Sequence, residues 1–279
     1  MKKKHTGERM ETHIFSKNTI EHLHRYSIAT EFIVDKFVLD IACGEGYGAF
    51  LMSKQARKVY GVDISDEVIL EAKKKYNKRN IEFLEGTTSK IPLSNNSIDI
   101  VVSFETIEHH DKHEEMMIEI LRVMKSGGVL IISSPDRFNY SEVNNFKNPF
   151  HVKELFRDEF ENLMAKYFKY TYSFSQKFTQ SSLIMLSGLP QNSELKVYTG
   201  DFEELTELDF HNMSRFNICI ASNSPIDENK MRNSVFINED IMNNYIQSQI
   251  EIYKQSFSYR LGNSIIRPFS KIYSFLNKD

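Results

Sequence analysis

The fold is decided by the stretch Phe37-Val38-Leu39-Asp40-Ile41-Ala42-Cys43-Gly44-Glu45-Gly46-Tyr47-Gly48, which is followed by Val59-Tyr60-Gly61-Val62-Asp63. The first stretch is typical of an apolar strand that runs into a glycine turn and opens a helix. The second is typical of a strand that ends in an acid. Together they form the arrangement that holds a nucleoside cofactor at the carboxyl edge of a parallel sheet. They predict the fold class and the cofactor class, and leave the second substrate open.

The composition narrows the classes of function. With 279 residues, of which 41% are hydrophobic, the chain can bury one substantial core with appendages. A net charge of -3 gives no overall basic field, so we expect no nucleic-acid partner. Cys43 and Cys219 lack the CxxC spacing of a metal or redox site, which suits a reducing compartment. No apolar run is long enough to span a bilayer, and we expect a cytoplasmic protein.

Strand and helix signals alternate along the chain, which predicts an α/β fold with a doubly wound, mostly parallel sheet of seven strands. Asp66 is the predicted cap of the second helix of this unit, and Gly127-Gly128 the predicted end of its third helix. The predicted strands are 37–42, 58–62, 81–84, 98–103, 128–133, 168–174 and 214–222, and the predicted helices about 20–32, 47–55, 66–77, 112–124 and 153–166.

Three parts follow from this pattern. Residues 1–35 are expected to form an N-terminal helical lid over the site. Residues 36–222 form the cofactor-binding domain, interrupted by a weakly periodic insertion at about 176–213. Residues 223–279 form a C-terminal helical extension that is basic and amphipathic.

The glycine turn and its two acids define the cofactor. Gly44, Gly46 and Gly48 let the backbone approach a ligand closely. Ala49 completes the pattern GxGxxA, so a dinucleotide is an alternative. Asp40, inside the first strand, would repel a pyrophosphate but attract a cationic sulfonium with its ammonium group. Asp63 can accept hydrogen bonds from both ribose hydroxyls. The competing interpretation is that the glycines only turn a strand into a helix and that both acids are surface residues.

Residues 20–175 resemble the class I S-adenosylmethionine-dependent methyltransferases, of the type 11 family, and are similar to bacterial methyltransferases associated with surface polysaccharides. Four motifs carry the resemblance: 39–48, 61–65, 85–93 and 97–109. It implies a Rossmann-like methyltransferase fold and S-adenosylmethionine as cofactor, with S-adenosylhomocysteine as product.

The resemblance also implies roles for individual residues. The glycine loop cradles the methionine part, Asp63 binds the ribose and Ile64 packs on adenine. Where the family often has an acid, this chain has Thr87, so Thr88, a backbone carbonyl or water is expected at the adenine amino group. The expected cofactor-binding residues are Asp40, Ala42, Gly44, Glu45, Gly46, Asp63, Ile64, Thr87, Thr88, Phe104 and Glu105.

The candidate catalytic residues are His109, Glu108 and His151. His109 follows the fourth strand, where a base would lie, and Glu108 could orient its ring. In the family this acid-histidine pair often helps to shape the cofactor pocket instead. His151 belongs to Asn148-Pro149-Phe150-His151, which resembles a segment of the polysaccharide-associated enzymes. It is a second candidate base, or else it caps the following helix or packs against Phe150.

A metal site was considered at His109, His110, Asp111 and His113, because two of these histidines would lie one helical turn apart. No second group of ligands has a comparable spacing, so the sequence predicts no metal.

The C-terminal part carries a weaker signal. Phe257, Leu261, Ile265 and Ile272 recur near helical spacing among basic residues. This predicts peripheral contact of residues 251–279 with the inner face of a membrane. Ordinary packing on the domain, or a homodimer contact, is the alternative.

The predicted function is transfer of a methyl group to a hydroxyl of a sugar or surface glycan. One alternative is a small-molecule methyltransferase acting on a quinone, a polyketide or an amino-sugar. Another is a non-catalytic cofactor-binding subunit of a glycan-synthesis complex.

Overall fold

The computed structural model describes residues 10, 12, 14–179, 181, 196–200 and 204–264. Among the described residues, four short helical segments also occur: Ile107–His109, Phe138–Glu142, Phe210–Met213 and Glu228–Lys230. The helices and strands are α1 (Lys17–Thr30), β1 (Phe37–Ile41), α2 (Tyr47–Met52), β2 (Lys58–Asp63), α3 (Asp66–Lys75), β3 (Ile81–Glu85), β4 (Ile98–Ser103), α4 (His113–Val123), β5 (Met124–Pro135), α5 (Arg157–Tyr167), β6 (Tyr170–Gln176), β7 (Tyr198–Gly200), β8 (Leu205–Glu207), β9 (Phe216–Ser222) and α6 (Glu239–Gln255).

The main sheet has seven strands in the order β3-β2-β1-β4-β5-β9-β6. The first five strands are parallel, and β9 pairs antiparallel with both β5 and β6. This confirms the predicted doubly wound, mostly parallel sheet. The strand order reverses between β1 and β4, so a crevice opens at the carboxyl ends of these strands. That crevice positions the site.

Both faces of the sheet are covered, as a parallel sheet requires. Val38 and Leu39 of β1 are both fully buried, on opposite faces of the sheet. Val38 packs in a cluster to which α1, α2 and α3 contribute, whereas the cluster around Leu39 takes side chains from α4 and α5. Fully burying such an aliphatic side chain stabilises the fold by about 2 kcal/mol. The strand that carries the glycine turn is therefore anchored by packing on both of its faces.

Several predicted boundaries shift. Ser65, not Asp66, caps α3, because its hydroxyl accepts from the Val68 amide. Gly127 and Gly128 lie inside β5, because β5 begins at Met124, where it pairs with Ile98 of β4.

Two predicted helices are shorter than expected. The helix predicted from 47 to 55 ends at Met52. The helix predicted from 153 begins at Arg157, because the amides of Val152 and Lys153 donate instead to the Glu108 carbonyl.

The predicted insertion at 176–213 lies partly outside the described residues. Its described part contains the hairpin of β7 and β8.

Helix α1 contacts α2 and α6. The division into lid, domain and extension stays a prediction. Among the described residues, no helix has the length and apolar character needed to cross a membrane.

Candidate active site at the carboxyl edge of the sheet

A cavity of about 650 Å³ opens at the carboxyl ends of β1, β2 and β4. Its size is that of a small-molecule site. Glu108, His109 and His151, the predicted catalytic residues, all line it. The cofactor-binding residues predicted from the sequence that also line it are Ala42, Gly44, Glu45, Asp63, Ile64, Thr87, Thr88, Phe104 and Glu105.

Two predicted cofactor contacts, Asp40 and Gly46, are not among the residues that line this cavity, and their contact with the cofactor stays a prediction. Gly46 begins α2 with a φ of 86°, and a Cβ there would meet the Phe83 ring at 2.7 Å. Its lack of a side chain serves packing beneath the cavity. Gly44, with a φ of 52°, does line the cavity, and a Cβ there would meet nothing within 4 Å. The left-handed conformation is what requires glycine at position 44.

Asp40 is buried below the glycine turn. The Tyr26 hydroxyl donates to Asp40 Oδ1 at 3.2 Å, and the Ala49 amide also donates to this carboxyl. Burial raises the pKa of Asp40 to about 7. Its hydrogen bonds join α1 to the turn, so one role of this carboxyl is to hold the turn.

Asp63 ties together the loops that follow β1 and β2. Its Oδ2 accepts from the Gly44 amide and its Oδ1 from the Ser65 amide, both at 3.0 Å. A carboxylate oxygen has two lone pairs, so each oxygen can accept a further hydrogen bond from a ribose hydroxyl. The predicted ribose contact is therefore compatible with the geometry.

Beyond Asp63, the cavity wall is apolar at Ile64 and polar at Thr87 and Thr88. Ile64 lines the cavity although 67% of its surface is exposed, which leaves an apolar face available to a planar ring. Thr87 and Thr88 lie on the same wall, where Thr88 Oγ1 is 3.1 Å from His110 Nε2. These positions agree with the predicted adenine end.

Arg25 of α1 lines the cavity and was not predicted from the sequence. It is 1% exposed, and its Nη1 donates to Gln176 Oε1 at 2.6 Å. Its Nε and Nη2 have no hydrogen-bond partner among the described residues. Glu21 and Arg25 are four residues apart, so they share one face of α1. This pair of charges was the sequence feature that could have pointed to Arg25. The sequence does not show that this face turns inward.

Glu105 faces Arg25 across the cavity. Arg25 Nη1 lies 3.9 Å from Glu105 Oε1, and the Ser133 hydroxyl donates to that same oxygen at 2.6 Å. Glu105 has a φ of 50°, and its amide donates back to Ser133 Oγ. This reciprocal pair fixes a carboxylate in a backbone conformation that is uncommon for a residue other than glycine.

The other end of the cavity is built from two loops that are distant in sequence. The Glu108 carbonyl accepts from the amides of Val152 and Lys153, at 2.8 and 3.0 Å, and so joins the loop after β4 to the segment before α5. The Glu108 side chain is 1% exposed, and neither carboxylate oxygen has a hydrogen-bond partner among the described residues. Burial raises the pKa of Glu108 well above its ordinary value, and the nearby Glu105 adds to the rise.

Both histidine rings at this end are oriented by hydrogen bonds. His109 Nδ1 donates to the Phe150 carbonyl at 3.0 Å, and His151 Nδ1 donates to Glu154 Oε1 at 2.5 Å. The Asn148 amide donates to His151 Nε2 at 2.9 Å. The ring centres are 5.2 Å apart. In both rings, Nδ1 therefore carries a proton that it donates.

The histidine group considered from the sequence is not the one that the structure brings together. His113 Nε2 donates to the His110 carbonyl at 2.8 Å, as part of the start of α4. Instead, single ligand atoms of Glu108, His109 and His151 lie within 4.8 Å of one another. The sequence could not show this, because position 151 reaches the site only through tertiary contacts.

Comparison with known proteins agrees with this geometry. Residues 39–132 match the family model Methyltransf_11, described as a methyltransferase domain. A relative from Mycolicibacterium smegmatis, named "Probable S-adenosylmethionine-dependent methyltransferase", is 35% identical over 128 residues, which cover 46% of this chain and 49% of the relative. The demethylmenaquinone methyltransferase of Chlorobaculum tepidum is 38% identical over 99 residues, covering 35% of this chain and 40% of that protein. The chain thus spans about half the length, or less, of these curated relatives.

The fold also has a solved counterpart. The crystal structure of an S-adenosylmethionine-dependent methyltransferase from Thermotoga maritima matches with a TM-score of 0.53 and 21% identity, covering 75% of this chain and 91% of that one. At this identity the likeness supports the shared fold.

Proposed function

We propose that this chain, whose residues 39–132 form a class I methyltransferase domain of the Methyltransf_11 type, transfers a methyl group from S-adenosylmethionine to an acceptor hydroxyl. The observation that carries the proposal is the position of Asp63. Its carboxylate joins Gly44 to Ser65 at the cavity wall, between the glycine turn and Ile64. This is the place where a ribose connects a methionine part to an adenine ring.

The charged groups near the glycine turn suit the zwitterionic end of the cofactor. Arg25 Nε and Nη2, for which the described part of the chain offers no hydrogen-bond partner, are donors for its carboxylate. Glu105 and Glu21 line the same region and suit its ammonium group. The sulfonium would lie between them, directed toward Glu108 and His109.

The reaction is an in-line displacement. The acceptor oxygen forms a bond to the methyl carbon while the carbon-sulfur bond breaks and its electron pair stays on sulfur. The hydroxyl must lose its proton, and His109 and His151 are the candidate bases. His109 already has its Nδ1 proton on the Phe150 carbonyl, so its Nε2 carries the lone pair that would take up a proton.

The acceptor end suits a sugar or a growing surface glycan. Tyr140, Phe150 and Phe216 supply aromatic faces, and Asn148 and His151 supply polar atoms on the same wall. Such a mixture can stack on a sugar ring and bind its hydroxyls. A small apolar acceptor such as a quinone is the alternative, and one relative is named for demethylmenaquinone. The third alternative is a cofactor-binding subunit that does not catalyse methyl transfer.

A cytoplasmic location and peripheral contact of residues 251–279 with the inner face of a membrane remain part of the proposal. Within the described residues, Ile252, Phe257 and Leu261 are exposed apolar side chains of this segment. A homodimer contact would cover the same side chains. The rest of the segment, from 265, lies outside the described residues.

Binding of S-adenosylhomocysteine, measured by calorimetry, tests the cofactor assignment. We expect wild type to bind it, and Asp63→Ala to bind it about tenfold more weakly or worse, because a hydrogen-bonding carboxylate is lost. Asp66→Ala, at an exposed acid three residues away, is the matched control and should bind as wild type does. Uptake of a nicotinamide dinucleotide instead, or undiminished binding by Asp63→Ala, would contradict the assignment.

The acceptor class needs a separate experiment. The chain is incubated with S-adenosylmethionine carrying a labelled methyl group and a cell-envelope extract. Label in glycan supports the proposed acceptor, and label in extractable lipid supports the quinone alternative. No transfer to any fraction, with cofactor binding intact, would favour the non-catalytic subunit.

A further inference from the structure

We propose that Glu108, His109 and His151 form a binding site for a divalent transition-metal ion, of which Zn²⁺ is the natural probe, at the acceptor end of the cavity. The three side chains come from two loops, and one ligand atom from each lies within 4.8 Å of the others. Two imidazoles and one carboxylate are a common ligand set for such ions.

The Glu108 carboxylate is the first independent argument. It is 1% exposed and lines the cavity, yet neither oxygen has a hydrogen-bond partner among the described residues. Leaving a buried carboxylate unsatisfied is costly, whereas a cation beside it would satisfy both oxygens. Glu105 and Glu154 raise the pKa of Glu108 further, whereas Arg25 lowers it.

The bonds behind the histidines are the second argument. Imidazoles that bind a metal commonly donate their other ring nitrogen to a backbone carbonyl or a carboxylate, which fixes the ring and its tautomer. His109 donates Nδ1 to the Phe150 carbonyl and His151 donates Nδ1 to Glu154. In both rings, Nε2 is therefore the nitrogen that would bind the ion. At His151 the ion takes the place of the Asn148 amide, which donates to Nε2 at 2.9 Å.

Three protein ligands leave coordination positions open, and all three ligands face the cavity. The consequence for catalysis rests on the proposed function. A hydroxyl acceptor bound at an open position loses its proton to water more readily, because the ion stabilises the resulting oxyanion. That oxygen then bonds to the methyl carbon while the carbon-sulfur bond breaks and its electron pair stays on sulfur. When the ion is bound, the histidines act as its ligands through Nε2 instead of as bases, and water takes up the acceptor proton at the mouth of the cavity.

Titration of the full-length protein, freed of metal with a chelator and dialysed, tests the site. Calorimetry with Zn²⁺ should give one site per chain, and Co²⁺ should produce visible absorption bands at the same stoichiometry. Glu108→Gln and His151→Gln should each weaken Zn²⁺ binding at least about tenfold. Glu154→Ala, which removes the acceptor behind His151, should weaken Zn²⁺ binding by about tenfold.

His110→Gln is the matched control, because His110 neighbours His109 but is not part of the group. It should bind Zn²⁺ as wild type does. Thermal unfolding of every variant establishes that it is folded, and His151→Gln serves if Glu108→Gln does not fold. The proposal is overturned if wild type takes up no Zn²⁺, or if the ligand variants bind it as well as His110→Gln does.

Binding of S-adenosylhomocysteine by the same preparations separates the two proposals. Zn²⁺ binding without cofactor binding would remove the methyltransferase assignment and leave the metal site standing. Cofactor binding without Zn²⁺ binding would remove only the metal site.

Discussion

Each end of the cavity holds a buried carboxyl group, and the two differ in their partners. Asp40, under the glycine turn, accepts from the Tyr26 hydroxyl and the Ala49 amide. Glu108, at the acceptor end, has no hydrogen-bond partner for either oxygen among the described residues. Both are 1% exposed, and burial raises the pKa of both.

This difference suits a structural role for Asp40 and agrees with the functional role that we propose for Glu108. At the cofactor end, backbone amides and the Tyr26 hydroxyl donate hydrogen bonds to Asp40 and Asp63. The acceptor end leaves a carboxylate and two oriented imidazoles directed at the cavity, so it is built for something that binds there. Variants at the two ends should therefore fail in different ways.

The largest effect is expected at the acceptor end. His109→Ala should lower turnover by about 100-fold or more, because activation of the acceptor hydroxyl is lost. Its affinity for S-adenosylhomocysteine should stay near that of wild type. Turnover with labelled S-adenosylmethionine and calorimetry measure the two quantities. His211→Ala, at an exposed histidine away from the cavity, is the control for loss of a histidine. Unchanged turnover in His109→Ala would remove this residue from the mechanism.

The next effect concerns the buried acid of the cofactor end. The pKa of Asp40 is raised from its ordinary value of 3.8 to about 7, so the folded state holds a proton there that the unfolded state has released. Its stabilising effect is complete below about pH 4 and is lost as pH rises through about 7. Asp40→Asn removes this loss. Relative to wild type, the variant should gain up to about 4 kcal/mol in free energy of unfolding between pH 4 and pH 8.

Denaturant unfolding of both proteins across this pH range measures the difference. Asp66→Asn, at an exposed acid, is the matched control, for which a change of this size is not expected. A difference between Asp40→Asn and wild type that does not vary with pH would show that Asp40 is ionised in the folded state. The two ends of the cavity would then not share a buried neutral acid.

The smallest effect is steric. A Cβ at Gly48 would overlap the ring and hydroxyl of Tyr26, the residue that binds Asp40. Gly48→Ala should therefore lower the free energy of unfolding by about 1–3 kcal/mol. Gly127→Ala is the matched control, since a Cβ there meets nothing within 4 Å. Equal thermal stability of the two variants would mean that α1 is not held against the glycine turn as the structure has it.

The position of the glycine turn and of Asp63 could be predicted from the sequence because these residues belong to one local unit. The glycine turn follows β1 directly, and Asp63 ends the adjacent strand β2, so one supersecondary unit places both. Asp40 and Gly46 belong to the same unit but do not line the cavity. A motif does not distinguish a residue that touches a ligand from one that supports the turn.

The acceptor end was predicted only as separate candidates. Glu108, His109 and His151 were each singled out, but their grouping was not, and His109 was considered with His110 and His113 instead. Arg25 was missed because the polar face of α1 could as well have faced water. In each case the deciding fact is a contact between segments distant in sequence, such as that between the Glu108 carbonyl and residues 152 and 153.

By itself, the sequence determined the doubly wound sheet, the glycine turn and the acid that ends β2, because hydrophobic periodicity and local turn chemistry act over a few neighbouring residues. Only the tertiary structure decided which acids are exposed to a ligand and which are buried beneath it. It also decided that His151 and Arg25 line the cavity, and that the Glu108 carboxylate has no hydrogen-bond partner among the described residues. The burial of a side chain and its hydrogen-bond partners depend on chain segments that meet only when the sheet has formed. No local sequence pattern encodes these contacts.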